Sequence, residues 1–105
     1  MRLPDITPKE KVVEAYLRNE IKKRGGVAYK FVSPATVGVP DRIVLMPGGN
    51  IWFVEVKRTR KDKLTKLQFI ACEKIRALGQ QVRVVHGREG VDEFLKEVDF
   101  NAICS

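Results

Sequence analysis

The stretch GVPDRIVLMPGGNIWFVEVK, residues 38 to 57, constrains the fold of this chain more than any other segment. Two runs rich in Val, Ile, Leu, Trp and Phe, at 41 to 46 and 50 to 57, flank Pro47-Gly48-Gly49. That connection is short and supplies glycine for positive φ, so the runs are expected to pair as an antiparallel hairpin. Loop length then sets the register. With those three residues as the loop, Met46 faces Asn50, and counting back along both strands puts Asp41 opposite Glu55. Directly opposed residues share a face, with Cβ atoms about 5 Å apart. Strand alternation adds Lys57 to that face and sends Trp52 to the other, where it is expected in the core. Two carboxylates and one ammonium should therefore meet at one end of a hairpin. A loop longer by one residue would abolish the arrangement.

Charge in such a place needs compensation. Neighbouring carboxylates repel, and a carboxylate in a dry setting costs several kcal/mol. A divalent cation relieves both terms, and an all-oxygen donor set favours Mg²⁺ or Mn²⁺ over zinc. Lys57 beside the cation could orient or deprotonate an attacking water, or stabilise charge developing on a phosphate. The plain alternative is a Glu55–Lys57 ion pair on a solvated strand face. Asp41 at the matching position, the apolar flanks Phe53, Val54 and Val56, and the basic run behind the strand argue against it.

The remaining chain supplies elements to cover a sheet. Thr7-Pro8-Lys9-Glu10 has the form of a capping box with proline at the first helical position, predicting a helix over 8 to 24 that stops at Gly25-Gly26. Val13, Tyr16, Leu17 and Ile21 form its apolar stripe, with Glu10 and Glu14 one turn apart on an edge of that stripe. A strand is expected over 27 to 32, followed by the turn-rich loop SPATVGVP bordered by Tyr29 and Lys30. Thr65-Lys66-Leu67-Gln68 opens a second helix, with Leu67, Ile70, Ala71, Ile75 and Leu78 inward and an end at Gly79. A strand over 81 to 86 and a helix over 90 to 98, burying Val91, Phe94, Leu95 and Val98, complete the order αβββαβα. With one β-helix-β crossover, this is an α/β fold: a mixed four-stranded sheet flanked by helices. The 105 residues suit a single domain, 1 to 105, with a core over about 8 to 98.

Lys and Arg number 20 against 13 Asp and Glu, a net charge of +7 that favours a polyanionic partner. The cations cluster. Lys22, Lys23 and Arg24 close the first helix, where they complement its dipole, whereas Lys57, Arg58, Arg60, Lys61, Lys63 and Lys66 follow the charged strand. Cys72 and Cys104 match neither a disulfide framework nor a zinc site and are expected as free thiols. No apolar run reaches the roughly 20 residues of a membrane span, and MRLPDITPKEK lacks a signal-peptide core, so a cytoplasmic location is expected. His86, the only histidine, stands far in sequence from the acidic cluster and is expected as a structural or surface residue.

The pairing of PD at 40 and 41 with EVK at 55 to 57 resembles the PD-(D/E)XK nuclease signature. The fuller pattern, GVPDRIVLMPGG, FVEVK, KLTKLQ and ALGQQVRVV, resembles the VRR-NUC (virus-type replication-repair nuclease) family, especially its small stand-alone phage-type members. The likeness runs over about 10 to 95. It implies a restriction-endonuclease-like core and a metal-dependent nuclease acting on branched or structured DNA, similar to homodimeric Holliday-junction resolvases. A single site in one domain also needs a two-fold partner to cut two strands symmetrically. A phage-encoded member would act in the host-cell cytoplasm.

Carried over by residue, the resemblance implies that Asp41 and Glu55 hold Mg²⁺ or Mn²⁺, that the Val56 carbonyl adds a ligand, and that Lys57 is the catalytic lysine. It also places an acid on the first helix. Glu14 is preferred, because Glu10 already has an occupation at the third helical position of the capping box, and Glu10 is the alternative. Gln68 resembles the family glutamine near the site, although its place three residues after Thr65 also fits a cap. Arg42, on the other face from Asp41, joins Lys57, Arg58, Arg60, Lys61, Lys63 and Lys66 as an expected DNA contact, with a dimer contact as its alternative. The competing function is a non-catalytic basic nucleic-acid-binding module on the same fold. Such a module gains nothing from carboxylates that repel phosphate.

Overall fold

The computed structural model describes residues 9 to 104. The hairpin forms as the turn chemistry dictates. β2 (Arg42–Leu45) pairs antiparallel with β3 (Ile51–Lys57), Val44 against Trp52, and the Met46 amide donates to the Asn50 carbonyl at 2.9 Å. Gly48 and Gly49 take φ of 89° and 88°, values that a Cβ opposes. β1 (Val27–Lys30) pairs antiparallel with β2, and β4 (Val82–His86) lies parallel to β3, giving the sheet order β1-β2-β3-β4. β1 is shorter than the expected 27 to 32. The ladder still continues one step, since the Phe31 amide donates to the Asp41 carbonyl at 2.7 Å.

The helices α1 (Glu10–Lys23) and α3 (Gly87–Cys104) cover one face of the sheet. Val13, Leu17 and Ile21 of α1 and Val91, Phe94, Leu95 and Val98 of α3 enclose Val44, Trp52, Val54, Val56 and Val85 in one core. Trp52 is fully buried. It meets Phe94 edge-on at a centroid distance of 5.6 Å, and its indole N–H donates to Glu97. The expected α1 stripe is confirmed, with Tyr16 partly buried against the core. Lys9 is the N-cap of α1 and makes no side-chain cap; the Thr7 box lies outside the described residues.

The crossover helix α2 (Lys66–Ala77) serves the opposite face. Its capping box at Thr65 is present in both halves, the Gln68 amide donating to the Thr65 hydroxyl and the Thr65 amide to the Gln68 side chain. Its inward face matches the expected one at Ala71, with Ile75 half-buried, and differs elsewhere. Ala71 and Cys72 are buried, whereas Leu67, Ile70 and Leu78 are exposed. Residues 68, 71, 72 and 75 form one helical stripe, and small side chains in it let the helix lie close to a face that carries charge. α3 is longer at both ends than the expected 90 to 98. Its last turns carry Phe100 and Ile103 into solvent, so burial periodicity stops at Val98 although the backbone continues.

Candidate active site

Every odd residue of β3 faces away from the α1–α3 core, and this face carries the predicted cluster. Extending the observed register by one step puts Asp41 opposite Glu55. Glu55 is only 5% exposed. Burial first, and then the charge of Asp41, push its carboxyl up to about 7, against the opposing pull of Lys57 and of the Asp41 backbone amide bonded to it. Asp41 Oδ1 is buried without a hydrogen-bond partner. An acceptor left in that state is costly, and here it lies across the strand pair from a second, buried carboxylate.

Lys57 stands two residues beyond Glu55 on the same face. Its ammonium donates to Gln68 Oε1 at 2.9 Å, and the same oxygen accepts from the Thr65 amide at 2.9 Å. Gln68 therefore closes the cap of α2 and contacts the lysine with the same side-chain oxygen. The loop before Asp41 is pinned to the same helix turn. Gly38 has φ 93°, and a Cβ there would lie 2.6 Å from the carbonyl of Leu67, so only glycine allows this approach. One helix terminus thus holds both the lysine partner and the loop leading to the aspartate.

The helix acids divide in a way that the sequence did not show. Glu14 has one oxygen 3.7 Å from Arg42 Nε, an ion-pair distance too long for a hydrogen bond, and that Nε–H is itself without an acceptor. Burial, followed by the charge of Asp41, raises the Glu14 carboxyl, with Arg42 opposing. Glu10, the first residue of α1, is exposed, and its charge bears on both Glu14 and Glu55. Glu14 is thus the acid beside Asp41 with a cationic partner, and Glu10 is the one whose charge reaches Glu55.

Arg42 corrects an expectation. It is 8% exposed, its guanidinium reaches the Ala28 carbonyl and lies against Glu14, and it faces α1 with Val54. A side chain so enclosed is not placed to contact DNA phosphate. The other expected contacts stay on the surface. Lys61, Lys63 and Lys66 are exposed, Arg60 pairs with Glu89 at 3.2 Å, and Arg58 pairs with Asp62 at 3.4 Å.

His86, expected as a structural or surface residue far from the acidic cluster, lies nearer to it than its sequence position suggests. It is the register partner of Lys57 across the parallel β3–β4 pair and shares its face. The available signal was topological: a crossover sets the ends of two parallel strands side by side, so the last residues of FVEVK and VRVVH become neighbours.

The donor set fits a hard divalent cation. Asp41 offers a buried, unpartnered oxygen, and Glu55 a carboxylate whose ionisation burial opposes and a cation would favour. No group of three His, Cys, Asp or Glu able to hold a metal occurs among the described residues. Mg²⁺ commonly takes one or two carboxylates and keeps its waters.

Comparison with known proteins bears on this arrangement. No family model matches the chain. "Putative nuclease p44" of Acyrthosiphon pisum secondary endosymbiont phage 1 is 44% identical over 81 residues, covering 77% of this chain and 86% of that protein. A solved structure described as a VRR_NUC domain superposes with a TM-score of 0.79 at 33% identity, over 83% of this chain and 94% of the other. This chain belongs to the VRR_NUC nuclease family. A second structure, a VRR_NUC domain protein, shares the fold with a TM-score of 0.67 at 20% identity, over 90% and 89% of the two chains.

Proposed function

We propose that this VRR_NUC chain is a Mg²⁺- or Mn²⁺-dependent, structure-selective endonuclease that hydrolyses phosphodiester bonds in branched DNA. In this reading it works as a homodimer resembling a Holliday-junction resolvase, in the cytoplasm. The observation that carries the reading is the Asp41–Glu55 pair on the α2 face of the sheet, with Lys57 held beside it by Gln68. No helix among the described residues is long and apolar enough to cross a membrane.

Asp41, Glu55 and the Val56 carbonyl would hold the cation, with Glu10 or Glu14 of α1 as the further acid. When bound, the metal would supply an acidified water and charge neutralisation at the phosphate. Gln68 accepts from Lys57 and so directs its ammonium. From there Lys57 can orient the attacking water or stabilise negative charge on the scissile phosphate. Lys61, Lys63 and Lys66, with Arg58 and Arg60, attract the backbone. A non-catalytic binding module is the weaker reading, because it gives no use for a buried carboxylate pair.

The test is incubation of the protein with a four-way junction, a flap and plain duplex, each in Mg²⁺, Mn²⁺ or EDTA. Cleavage of the branched forms in either metal and none in EDTA is expected. Cutting that survives EDTA would remove the metal chemistry, and equal cutting of plain duplex would remove the structure selectivity. Sedimentation at micromolar concentration, with and without junction DNA, should give a mass of two chains.

A further inference from the structure

Beside the lysine, the open edge of the sheet is hollowed. β4 is an edge strand, and a cavity of 550 Å³ lies between it, the turn after β3 and the start of α2. Arg60, Lys63, Lys66 and His86 line it, together with Phe69. This cavity forms the groove; two further cavities, of 310 and 430 Å³, also touch Arg60 and His86 and carry the acids Glu89 and Glu93 in their linings. His86 is the register neighbour of Lys57, and the groove therefore ends beside the active-site cluster.

Two features set this groove apart from an ordinary basic surface. Phe69 is 56% exposed although it follows Gln68 directly in α2, and the helix buries Ala71 and Cys72 instead. A large aromatic ring is thus turned into a cationic hollow rather than into the core. The charges around it are also available for exchange. Asp62, the acid lining the same cavity, is engaged by Arg58 and the Thr59 amide, and the Arg60–Glu89 pair is solvent-exposed, which makes it weak.

Cations tracking a groove with an aromatic face among them match a single nucleic-acid strand: phosphates take the charges and an unpaired base takes the ring. A duplex cannot use the ring, because its bases are already stacked on one another. We propose that this groove is the path of a single-stranded nucleic-acid segment running to the Asp41–Glu55–Lys57 cluster, with a base stacked on Phe69 and phosphates held by Arg60, Lys63 and Lys66. The proposal rests on the nuclease reading and favours, among the branched substrates of that reading, those that carry an unpaired arm, such as a flap.

The experiment measures affinity in EDTA, by fluorescence anisotropy, for a labelled duplex bearing a single-stranded tail and for the same duplex with blunt ends. Phe69→Leu keeps apolar bulk and removes the π-face; Phe69→Trp keeps a face. Phe69→Leu should bind the tailed DNA on the order of tenfold more weakly, with blunt-duplex affinity unchanged, and Phe69→Trp should restore parental binding. Parental affinity in Phe69→Leu, or an equal loss on tailed and blunt DNA, overturns the path. Circular dichroism on both variants establishes the fold, which an exposed residue should not disturb. Since binding is read without metal, a protein that cuts nothing yet shows this pattern keeps the strand path and loses the nuclease reading.

Discussion

The two faces of one strand divide this molecule. Along β3, Trp52, Val54 and Val56 are fully buried against α1 and α3, while the alternate residues Glu55 and Lys57 face α2 with a carboxylate and an ammonium. The first face is a jigsaw of Val, Leu, Ile and two aromatics, and it pays for the fold. The second is covered by a helix that offers Ala71, Cys72 and Gln68, small or polar, and leaves its larger apolar residues in solvent. Rigidity on one side of a strand thus permits electrostatic tension on the other, because β3 cannot move to relieve Glu55 without unpacking Trp52.

If that division is correct, substitutions on the two faces should fail differently. The largest effect is expected from Asp41→Asn and Lys57→Ala, which should each lower single-turnover cleavage by orders of magnitude while leaving the circular dichroism spectrum intact. Asp41→Asn should bind junction DNA in EDTA or Ca²⁺ as tightly as the parent or more tightly, because a charge repelling phosphate is gone. Parental cutting rates in both variants would show that the α2 face is not the site.

Trp52→Ala tests the opposite face. Removing a fully buried indole should cost about 3–5 kcal/mol, a large share of the stability of a domain this size, measured by urea unfolding. Loss of cleavage should then track the unfolded fraction. Retention of the parental midpoint would mean that the core does not hinge on this residue.

A finer cut separates the two duties of Gln68. Thr65→Ala removes the cap alone and should cost about 1 kcal/mol with cleavage by the folded protein nearly unchanged. Gln68→Ala removes the cap and also releases Lys57, so cleavage by the folded protein should fall in addition, with its pH profile altered. Equal rates in the two variants would reduce Gln68 to a helix cap.

A last effect concerns pH. Burial and Asp41 raise Glu55 from 4.5 to about 7, so the metal-free folded state holds a proton that the unfolded chain has released. This term therefore lowers stability as pH rises from about 4.5 through about 7, and is constant above. Glu55→Gln should melt higher than the parent at pH 8 without metal, with the gap closing toward pH 5. A gap independent of pH would remove the buried-carboxylate explanation.

Sequence-based expectation was strongest where the physics is local. The apolar stripe of α1, the Thr65 cap and the element order all emerged as expected, because period, turn chemistry and capping act over a few residues. α3 was underestimated because its exposed last turns carry no burial signal. The face of α2 was partly mistaken because apolar residues occur all round that helix, and only docking against a charged sheet face selects the stripe of small ones.

The amino-acid sequence by itself determined the centre of the site. Pro47-Gly48-Gly49 sets one register, and that register opposes Asp41 to Glu55 with Lys57 on the same face, whatever else packs around them. Tertiary structure alone decided what surrounds the centre. It brought His86 beside Lys57, enclosed Arg42 against Glu14, set the charge of Glu10 within reach of Glu55 and turned Phe69 outward. Those contacts join residues from different elements, and their geometry follows from how two helices and a crossover dock on a twisted sheet, which no local period or turn encodes.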